Sequence, residues 1–260
     1  MAGDTYLKSL FSLEGRVALV TGGSSGLGRR MAYALSRAGA SVVLAARRTG
    51  ALVDARVEIE AEGGVAATVE ADLLAGMDAV AACAEAAAEP FGAPDILVNA
   101  AGINLREPPD EVTPESWDRT IRLNLSVPFF LARALVPGMK AKGRGSIINI
   151  ASLQTFRAFS GGFAYGASKG GVGQLTRAMA QAWSADGITA NALIPGFFPT
   201  ELTGPVFADS KLSRMHADAT CFGRNGELRD IDGATVFLAS PASAYITGAL
   251  IPVEGGYLAK

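Results

Sequence analysis

The stretch VALVTGGSSGLG, residues 17–28, runs from a short apolar segment directly into closely spaced glycines. The apolar part predicts a β-strand, and the residues from Leu27 onward predict a helix. A glycine turn between a strand and a helix brings backbone N–H groups close to a bound pyrophosphate. A plain glycine-rich loop is the simpler alternative, because the chain has 31 glycines. The position of this turn at the first strand–helix junction favours a nucleotide site, and the Gly-Lys-Ser/Thr of a phosphate-loop NTPase is missing.

Short apolar runs alternate with longer alanine-rich segments along the whole chain. Continuous apolar strands are typical of a parallel sheet that is buried on both faces. The alternation predicts one doubly wound α/β domain of the Rossmann type over residues 1–260. We expect a mostly or wholly parallel seven-stranded sheet with helices on both faces. The runs begin at Val17, Ser41, Ala66, Asp95, Gly145, Ile188 and Ala249.

Local signals place several helix boundaries. Gly39 is a C-terminal cap for a helix predicted over residues 27–38, and Thr113 followed by Pro114 predicts a helix start. A longer helix is expected over residues 161–185. The segment at residues 196–226 is rich in Pro, Gly and mixed polar residues, which predicts an insertion over a site, with short helices.

The composition argues against several classes of partner. The 23 Lys and Arg against 25 Asp and Glu give a net charge of −2, so we expect neither a nucleic-acid nor a membrane partner. Cys83 and Cys221 lack the spacing of a metal site or a disulfide, which fits a reducing compartment. No apolar run reaches about 18 residues, and the first residues lack the features of a secretory signal. We therefore expect a cytoplasmic protein without a metal ion.

Motifs that follow the glycine turn occur in the order of a known family. They are Asp72 after the third strand, Asn99-Ala100-Ala101-Gly102 after the fourth, Asn124, Ser152, Tyr165-x-x-x-Lys169, Pro195-Gly196 and Thr200. With them the chain resembles the short-chain dehydrogenase/reductase family, in its shorter branch, over nearly its whole length. The resemblance implies a nicotinamide cofactor. The residues expected to bind it are Gly22, Ser24, Ser25, Gly26, Leu27, Gly28, Arg47, Arg48, Asp72, Leu73, Asn99, Ala100, Gly102, Tyr165, Lys169, Pro195, Gly196 and Thr200.

The resemblance implies a specific role for each of three residues, and two of them also have a simpler structural explanation. Asp72 would contact the adenine amino group, or it caps a helix before Leu73. Thr200 would contact the nicotinamide carboxamide, or it caps a helix that starts at Glu201. Asn99 would anchor the central strands.

The end of the second strand selects the cofactor. A carboxylate there binds the ribose of NAD, whereas an arginine accommodates the 2′-phosphate of NADP. Here Ala46 stands in place of the carboxylate and Arg47 and Arg48 follow, which favours NADP(H). NAD(H) stays possible, because Ser25 stands where some NADP-using relatives carry a second basic residue. Two arginines at the start of a solvated loop are the simpler alternative.

The chain has one histidine, so another group has to carry a proton in acid–base chemistry. Tyr165 and Lys169 are four positions apart and share a face of the predicted helix. Lowering the pKa of a tyrosine from near 10 to about 7 requires about 4 kcal/mol of stabilisation of the tyrosinate. A positive charge ~4 Å away supplies this energy in a partly desolvated site. Taken alone, such a pair is more often an ordinary surface pair.

Ser152 ends the fifth strand, and ligands of α/β sheets bind beyond the carboxyl ends of strands. The hydroxyl of Ser152 could orient the substrate oxygen, and by resemblance Asn124 completes a water-linked proton path to Lys169. The predicted catalytic set is therefore Asn124, Ser152, Tyr165 and Lys169. A turn serine and a polar helix residue are the simpler alternatives. His216 is expected in a surface or lid position.

The substrate is expected to be a small carbonyl compound or alcohol, contacted by Asn104, Arg106, Gln154, Arg157 and Phe197. This mixture permits a polyol or sugar acid, a 3-oxoacyl thioester or a ring ketone. The chain looks most like gluconate 5-dehydrogenase-like and 3-oxoacyl-reductase-like members of the family. We rank the sugar acid first and expect Arg106 or Arg157 to bind its carboxylate.

The glycines of the predicted helix over residues 161–185 bear on the assembly of the protein. Gly170, Gly171 and Gly173 lie inside a predicted helix, where each costs up to about 1 kcal/mol, so we expect them to form a packing surface. Family members commonly form tetramers through this helix, which implies a homotetramer. A nucleotide-sensing regulatory protein is the non-enzyme alternative. A sugar-nucleotide epimerase would have a different glycine spacing.

Overall fold

The protein is described by a computed structural model of residues 2–260, with side chains from residue 5 onward. Seven strands form one sheet with the order β3-β2-β1-β4-β5-β6-β7, and every pair in it is parallel. The predicted doubly wound α/β fold is confirmed, and the sheet is wholly parallel. The strands are β1 Val17–Thr21, β2 Ser41–Ala46, β3 Val65–Glu70, β4 Ile96–Asn99, β5 Gly145–Ile150, β6 Ile188–Pro195 and β7 Leu250–Val253.

Helices connect the strands and cover both faces of the sheet. They are α1 Ala2–Phe11, α2 Gly26–Arg37, α3 Thr49–Ala61, α4 Met77–Ala88, α5 Pro114–Ile121, α6 Val127–Ala141, α7 Phe163–Trp183, α8 Gly204–Ala208, α9 Ser210–Asp218 and α10 Asp232–Ala239. A π-helical turn, Arg122–Ser126, joins α5 to α6. Among residues 2–260, no helix has both the length and the apolar character needed to cross a membrane.

The local helix signals agree with the structure. Thr113 caps α5 by accepting the N–H of Ser116, which in turn bonds back to Thr113. Gly39 follows α2 with a positive φ of 105°, as a C-terminal cap requires. The predicted insertion at residues 196–226 contains the two short helices α8 and α9.

The core lies on both faces of the sheet because neighbouring residues of a strand point to opposite sides. Leu19 of β1 is fully buried and packs with Leu131 of α6 on one face. Val20 is equally buried and packs with Leu35 of α2 on the other face. Full burial of each such side chain contributes about 1.5–3 kcal/mol.

The strand order reverses between β1 and β4, which neighbour each other although β2 and β3 lie between them in sequence. Connections leave toward opposite faces at this point, so a crevice opens beyond the carboxyl ends of the two strands. The glycine turn follows β1, and the Asn99-Ala100-Ala101-Gly102 motif begins at the end of β4. The fold therefore places both motifs at this crevice.

Candidate active site

The glycine turn has a backbone that other residues could not adopt without strain. Gly22 and Gly26 have φ values of 67° and 54°, where a side chain is disfavoured. A Cβ on Gly22 would lie 2.9 Å from the backbone nitrogen of Ala101, and one on Gly28 would lie 2.4 Å from the carbonyl oxygen of Gly22. The turn therefore packs tightly against the end of β4 and leaves the start of α2 at the rim of the crevice.

A cavity of about 280 Å³ lies beside this turn, and we call it the ribose cavity. Asp72 lies in its wall and accepts the N–H of Leu74 at 3.0 Å. It caps this turn and not a helix, since α4 begins later, at Met77. Most of the predicted cofactor-binding residues of the first half of the chain line the cavity. Its lining includes Gly22, Ser24, Ser25, Ala46, Arg47, Arg48, Asp72, Leu73, Ala101, Gly102 and Glu201.

The two arginines of the ribose cavity differ in their surroundings. Arg47 is exposed and makes no hydrogen bond or ion pair with any residue that the structure describes. Arg48 binds both carboxylate oxygens of Glu201, at 3.0 and 2.9 Å, and also donates to the hydroxyl of Ser25. These hydrogen bonds lower the pKa of Glu201 below its usual value. Sequence reasoning missed Glu201, which lies 153 positions from Arg48.

Two strand-end side chains tie the central strands together. Thr21 accepts the N–H groups of Ala100 and Ala101, both at 3.2 Å, through its hydroxyl oxygen. Asn99 donates to the side-chain oxygen of Asn149 on β5 at 2.9 Å. The Asn99 hydrogen bond thus links β4 to β5. The sequence interpretation assigned no role to Thr21 or Asn149.

Ser152 and Tyr165 face a second cavity of about 380 Å³, which we call the catalytic cavity. Ser152 follows β5 in an extended conformation and caps a short 3₁₀ turn, Leu153–Thr155. Lys169 lies one helical turn after Tyr165 on α7 and is 5% exposed. Its Nζ donates to the carbonyl of Ile150 at 2.7 Å and lies 5.6 Å from the centre of the Tyr165 ring.

The electrostatics of the pair differ from the sequence expectation. Burial raises the pKa of Tyr165, and the hydrogen bond with Ser152 and the charge of Arg106 oppose that rise only in part. Burial also lowers the pKa of Lys169 to about 8. The expected lowering of the Tyr165 pKa by Lys169 is therefore wrong here. The Lys169 ammonium group is bound to the Ile150 carbonyl, and the desolvation of Tyr165 outweighs the opposing effects of Ser152 and Arg106.

Asn124 lies in the π-helical turn and is almost fully buried. Its amide donates to the carbonyl of Ile103 and to the hydroxyl of Ser168, and its oxygen accepts the N–H of Ile103. A Cβ on Gly102 would lie 3.2 Å from that oxygen and 3.9 Å from Nζ of Lys169. The side chains of Asn124 and Lys169 therefore both lie close to Gly102.

The predicted substrate residues divide between two neighbouring cavities. Asn104, Arg106, Gln154 and Phe197 line the catalytic cavity, and the buried side-chain oxygen of Asn104 has no partner among the described residues. Arg157 instead lines an adjacent open cavity of about 980 Å³, where it stacks on the rings of Phe159 and Tyr257. The structure thus does not bring Arg157 to the Ser152–Tyr165 pair.

Arg106 has a backbone that sequence reasoning did not foresee. Its φ is 56°, the only positive value for a non-glycine residue in the described chain, and such a conformation costs of order 1 kcal/mol. Its guanidinium donates to the carbonyl of Leu202 in the insertion at 3.1 Å. This conformation places a positive charge at the mouth of both cavities.

The carboxyl end of β6 closes the site from the other side. Pro195 ends the strand, and Gly196, Thr200 and Leu27 lie with it in the wall of the catalytic cavity. A Cβ on Gly26 would lie 3.2 Å from the side chain of Thr200, so the insertion touches the glycine turn. Thr200 caps a turn through Thr203, and α8 begins later, at Gly204.

His216 lies on α9 and is 5% exposed, so the expected surface position is wrong. Its ring stacks on Phe197 with centroids 3.6 Å apart, and Nδ1 lies 3.1 Å from the hydroxyl of Tyr257. The ring forms part of the wall of the catalytic cavity. Burial, together with the charge of Arg106, lowers the pKa of His216, so the imidazole is neutral at neutral pH.

The comparisons with known proteins agree with this geometry. A family model described as enoyl-(acyl carrier protein) reductase matches residues 22–258. The gluconate 5-dehydrogenase of Gluconobacter oxydans (strain 621H) is 40% identical over 247 residues, which cover 95% of this chain and 96% of the relative. The chain belongs to the short-chain dehydrogenase/reductase family. This confirms the predicted resemblance.

Two further proteins are similar to this chain over nearly its whole length. The 2-dehydro-3-deoxy-D-gluconate 5-dehydrogenase of Bacillus subtilis (strain 168) is 39% identical over 260 residues, covering 98% of this chain and 99% of the relative. The crystal structure of a gluconate 5-dehydrogenase from Burkholderia cenocepacia J2315, in complex with NADP and tartrate, has a TM-score of 0.92. That protein is 37% identical, with 98% of this chain and 99% of that chain covered. The predicted reaction class, oxidation of an alcohol or reduction of a ketone, is confirmed.

The titration of His216 tests the geometry of the catalytic cavity. We expect the single histidine to titrate below 6.5, because burial disfavours the imidazolium and Arg106 repels it. Arg106→Gln removes that repulsion and should raise the pKa. Since the folded pKa is the lower one, His216 stabilises the fold above about pH 6.5. This contribution is lost as the pH falls through the folded pKa.

The measurement is the imidazole resonance followed by NMR against pH. Arg119→Gln serves as the matched control, because Arg119 is exposed on α5 and is not among the charges acting on His216. A wild-type pKa at or above 6.5, or no rise in the Arg106 variant, would contradict the described environment.

Proposed function

We propose that this protein catalyses the reversible, NADP(H)-dependent oxidation of a secondary alcohol of a sugar acid of the gluconate type to the ketone. The observation that carries the proposal is one cavity in which Ser152 and Tyr165 face the cationic side chain of Arg106. The insertion residue Thr200, which lies in the same wall, also touches the cofactor turn at Gly26. Hydride transfer and recognition of an acid can thus take place side by side.

The residues of the ribose cavity fit a dinucleotide that carries a 2′-phosphate. The glycine turn leaves room for a close pyrophosphate, and Arg47 offers an unpaired guanidinium where β2 ends without a carboxylate. The NADP complex of the Burkholderia relative supports the same cofactor. NADP(H), when bound, takes or supplies the hydride.

In the oxidation direction the substrate hydroxyl gives its proton to Oη of Tyr165 as the hydride leaves the same carbon. In reduction Tyr165 returns that proton to the oxygen of the ketone. Ser152 holds the oxygen in place through its hydroxyl, which lies in the wall of the same cavity as Tyr165. The side chains of Lys169 and Asn124 both lie close to Gly102, and we place them on a water-linked route that exchanges the proton with solvent.

The raised pKa of Tyr165 gives the two directions different pH profiles. Tyr165 is protonated at neutral pH, so it is ready to donate a proton to a ketone. Oxidation needs the tyrosinate, whose fraction grows as the pH rises toward the pKa. We therefore expect oxidation to speed up from about pH 7 to about pH 9, while reduction stays near its full rate at neutral pH.

The chemistry of the catalytic cavity suits a hydroxylated acid. Arg106 can form charge-assisted hydrogen bonds with a carboxylate. The unpaired oxygen of Asn104 can accept a hydroxyl hydrogen from the substrate. The tartrate bound with NADP in the Burkholderia relative, itself a hydroxylated acid, supports this substrate class.

We also propose that the protein is a homotetramer and that it works in a reducing, cytoplasmic compartment. Gly171 and Gly173 pack within the chain, where a Cβ would meet Leu125 at 2.8 Å and Thr155 at 3.0 Å. Gly170 differs, because a Cβ there would meet open space, and Phe163 on the same helix is exposed. These two residues leave part of α7 available to another subunit. Of the three glycines expected to form a packing surface, Gly171 and Gly173 therefore pack against other parts of the same chain.

Tyr165→Phe tests the proton donor. We expect kcat to fall by about 10²–10⁴, because the variant keeps the ring but has no proton to transfer. The dissociation constant of NADPH, measured by fluorescence titration, should change far less than kcat, because the ring that lines the cavity is kept. Tyr33→Phe on α2, remote from the catalytic cavity lining, is the matched control and should keep wild-type turnover. Undiminished kcat in Tyr165→Phe would refute the mechanism.

Arg106→Gln tests recognition of the acid. We expect the KM for gluconate to rise about 10- to 100-fold, since a hydrogen bond to a charged group contributes about 1.5–3 kcal/mol. The KM for a neutral polyol or a 3-oxoacyl thioester should change little. Arg157→Gln is the matched control, because Arg157 lies outside the catalytic cavity. Equal effects on gluconate and on the polyol would remove Arg106 from substrate recognition.

The oligomeric state is tested by sedimentation at micromolar concentration. We expect a tetramer of the 26.7 kDa chain, and Gly170→Arg should dissociate it because a long side chain would fill the open space on α7. The control Arg37→Ala changes an exposed residue of α2, which packs on the other face of the sheet from α7. A wild-type chain that sediments as a monomer would contradict the assembly.

A further inference from the structure

Arg48, Glu201 and Ser25 form a closed set of hydrogen bonds at the rim of the ribose cavity, which we call the clasp. The guanidinium of Arg48 binds both oxygens of Glu201 at 3.0 and 2.9 Å, and it donates to Ser25 at 3.0 Å. Ser25 in turn donates to Glu201 at 3.3 Å. The clasp therefore joins the end of β2 and the glycine turn to the insertion.

The clasp leaves the ribose cavity with less positive charge than its sequence suggests. Of its two arginines, only Arg47 lacks a partner among the described residues, since Arg48 is neutralised by a carboxylate in bidentate contact. The Glu201 side chain lies in the wall of the same cavity. Its negative charge opposes any second anion that approaches Arg48.

A 2′-phosphate is such an anion, and an unphosphorylated ribose is not. A phosphate that binds Arg48 has to displace or share the carboxylate, whereas NAD(H) leaves the clasp unchanged. The Arg48 and Glu201 side chains are 53% and 64% exposed, and exposed pairs of this kind are weak. The clasp can therefore open, and it imposes a modest penalty on one cofactor only.

We propose that Glu201 sets the ratio of NADP to NAD affinity by competing with the 2′-phosphate for Arg48. This inference rests on the proposed NADP site. The discrimination then depends on two separate segments, since β2 supplies the cations and the insertion supplies the counter-charge. Glu201 is a specificity-determining residue that lowers NADP preference.

The experiment is calorimetric binding of 2′,5′-ADP and 5′-AMP, which differ only in the 2′-phosphate, to wild type and variants. Glu201→Gln keeps the shape and a hydrogen-bonding oxygen but removes the charge. We expect it to tighten 2′,5′-ADP binding by about two- to fivefold and to leave 5′-AMP binding unchanged. The gain should shrink as salt is added, because the site is exposed.

Two variants serve as controls. Glu62→Gln breaks a comparable exposed pair with Arg37, at 2.7 Å, away from the cavity and should change neither affinity. Arg47→Gln should weaken 2′,5′-ADP binding selectively, which tests the NADP site independently of Glu201.

The outcomes separate the inference from the function on which it rests. One outcome is that Arg47→Gln weakens 2′,5′-ADP binding selectively, while Glu201→Gln leaves the 2′,5′-ADP affinity unchanged or lowers it. This outcome overturns the competition by Glu201 and leaves the proposed NADP site standing. Equal affinities of the wild type for both nucleotides, with no effect of Arg47→Gln, overturn the NADP site and the inference together. Selective tightening in Glu201→Gln supports the inference.

Discussion

The parallel alignment of the strands is the constraint on which the site depends. Because all seven strands run in one direction, their carboxyl ends meet at one edge of the sheet. Thr21 fixes the two strands at the crevice by accepting two N–H groups from the chain that follows β4. The glycine turn can then pack so closely against Ala101 that a Cβ on Gly22 would lie 2.9 Å from its backbone nitrogen. The position of the cofactor site follows from this contact, and the carboxyl ends of β5 and β6 supply Ser152 and Pro195 beside it.

Burial governs the chemistry at that edge. The same desolvation that raises the pKa of Tyr165 lowers that of Lys169, because each loses the solvation of its charged form. The Ile150 carbonyl, a strand-end group, holds the lysine in place. The tyrosine therefore stays protonated in the protein alone, which suits the donation of a proton more than its removal.

The features that could be predicted from the sequence are those with a local signal. Apolar runs ending in small polar residues indicated all seven strands, and Thr113-Pro114 indicated the start of α5, since both depend on neighbouring residues. The motif order indicated the places of Ser152, Tyr165 and Lys169. Their electrostatics could not be derived in the same way, because the distance of Nζ and the degree of desolvation depend on packing.

The residues that sequence reasoning misplaced or missed depend on distant parts of the chain. His216 is buried because Phe197 and Tyr257 cover it, and no local pattern marks that contact. Glu201 meets Arg48 across 153 positions. Both lie in the insertion, whose path over the site is set by contacts with strand ends and not by its own periodicity.

The π-helical turn that holds Asn124 also sets the orientation of everything after it. An α-helix turns by about 100° per residue, so the extra residue in this turn rotates the faces of α6 relative to those of α5. Leu131 of α6, which follows this turn, is fully buried in the core. Deleting one residue between 122 and 126 would restore a regular helix, but the apolar face of α6 would then no longer match the sheet. The placement of Asn124 and the packing of α6 thus depend on the same turn.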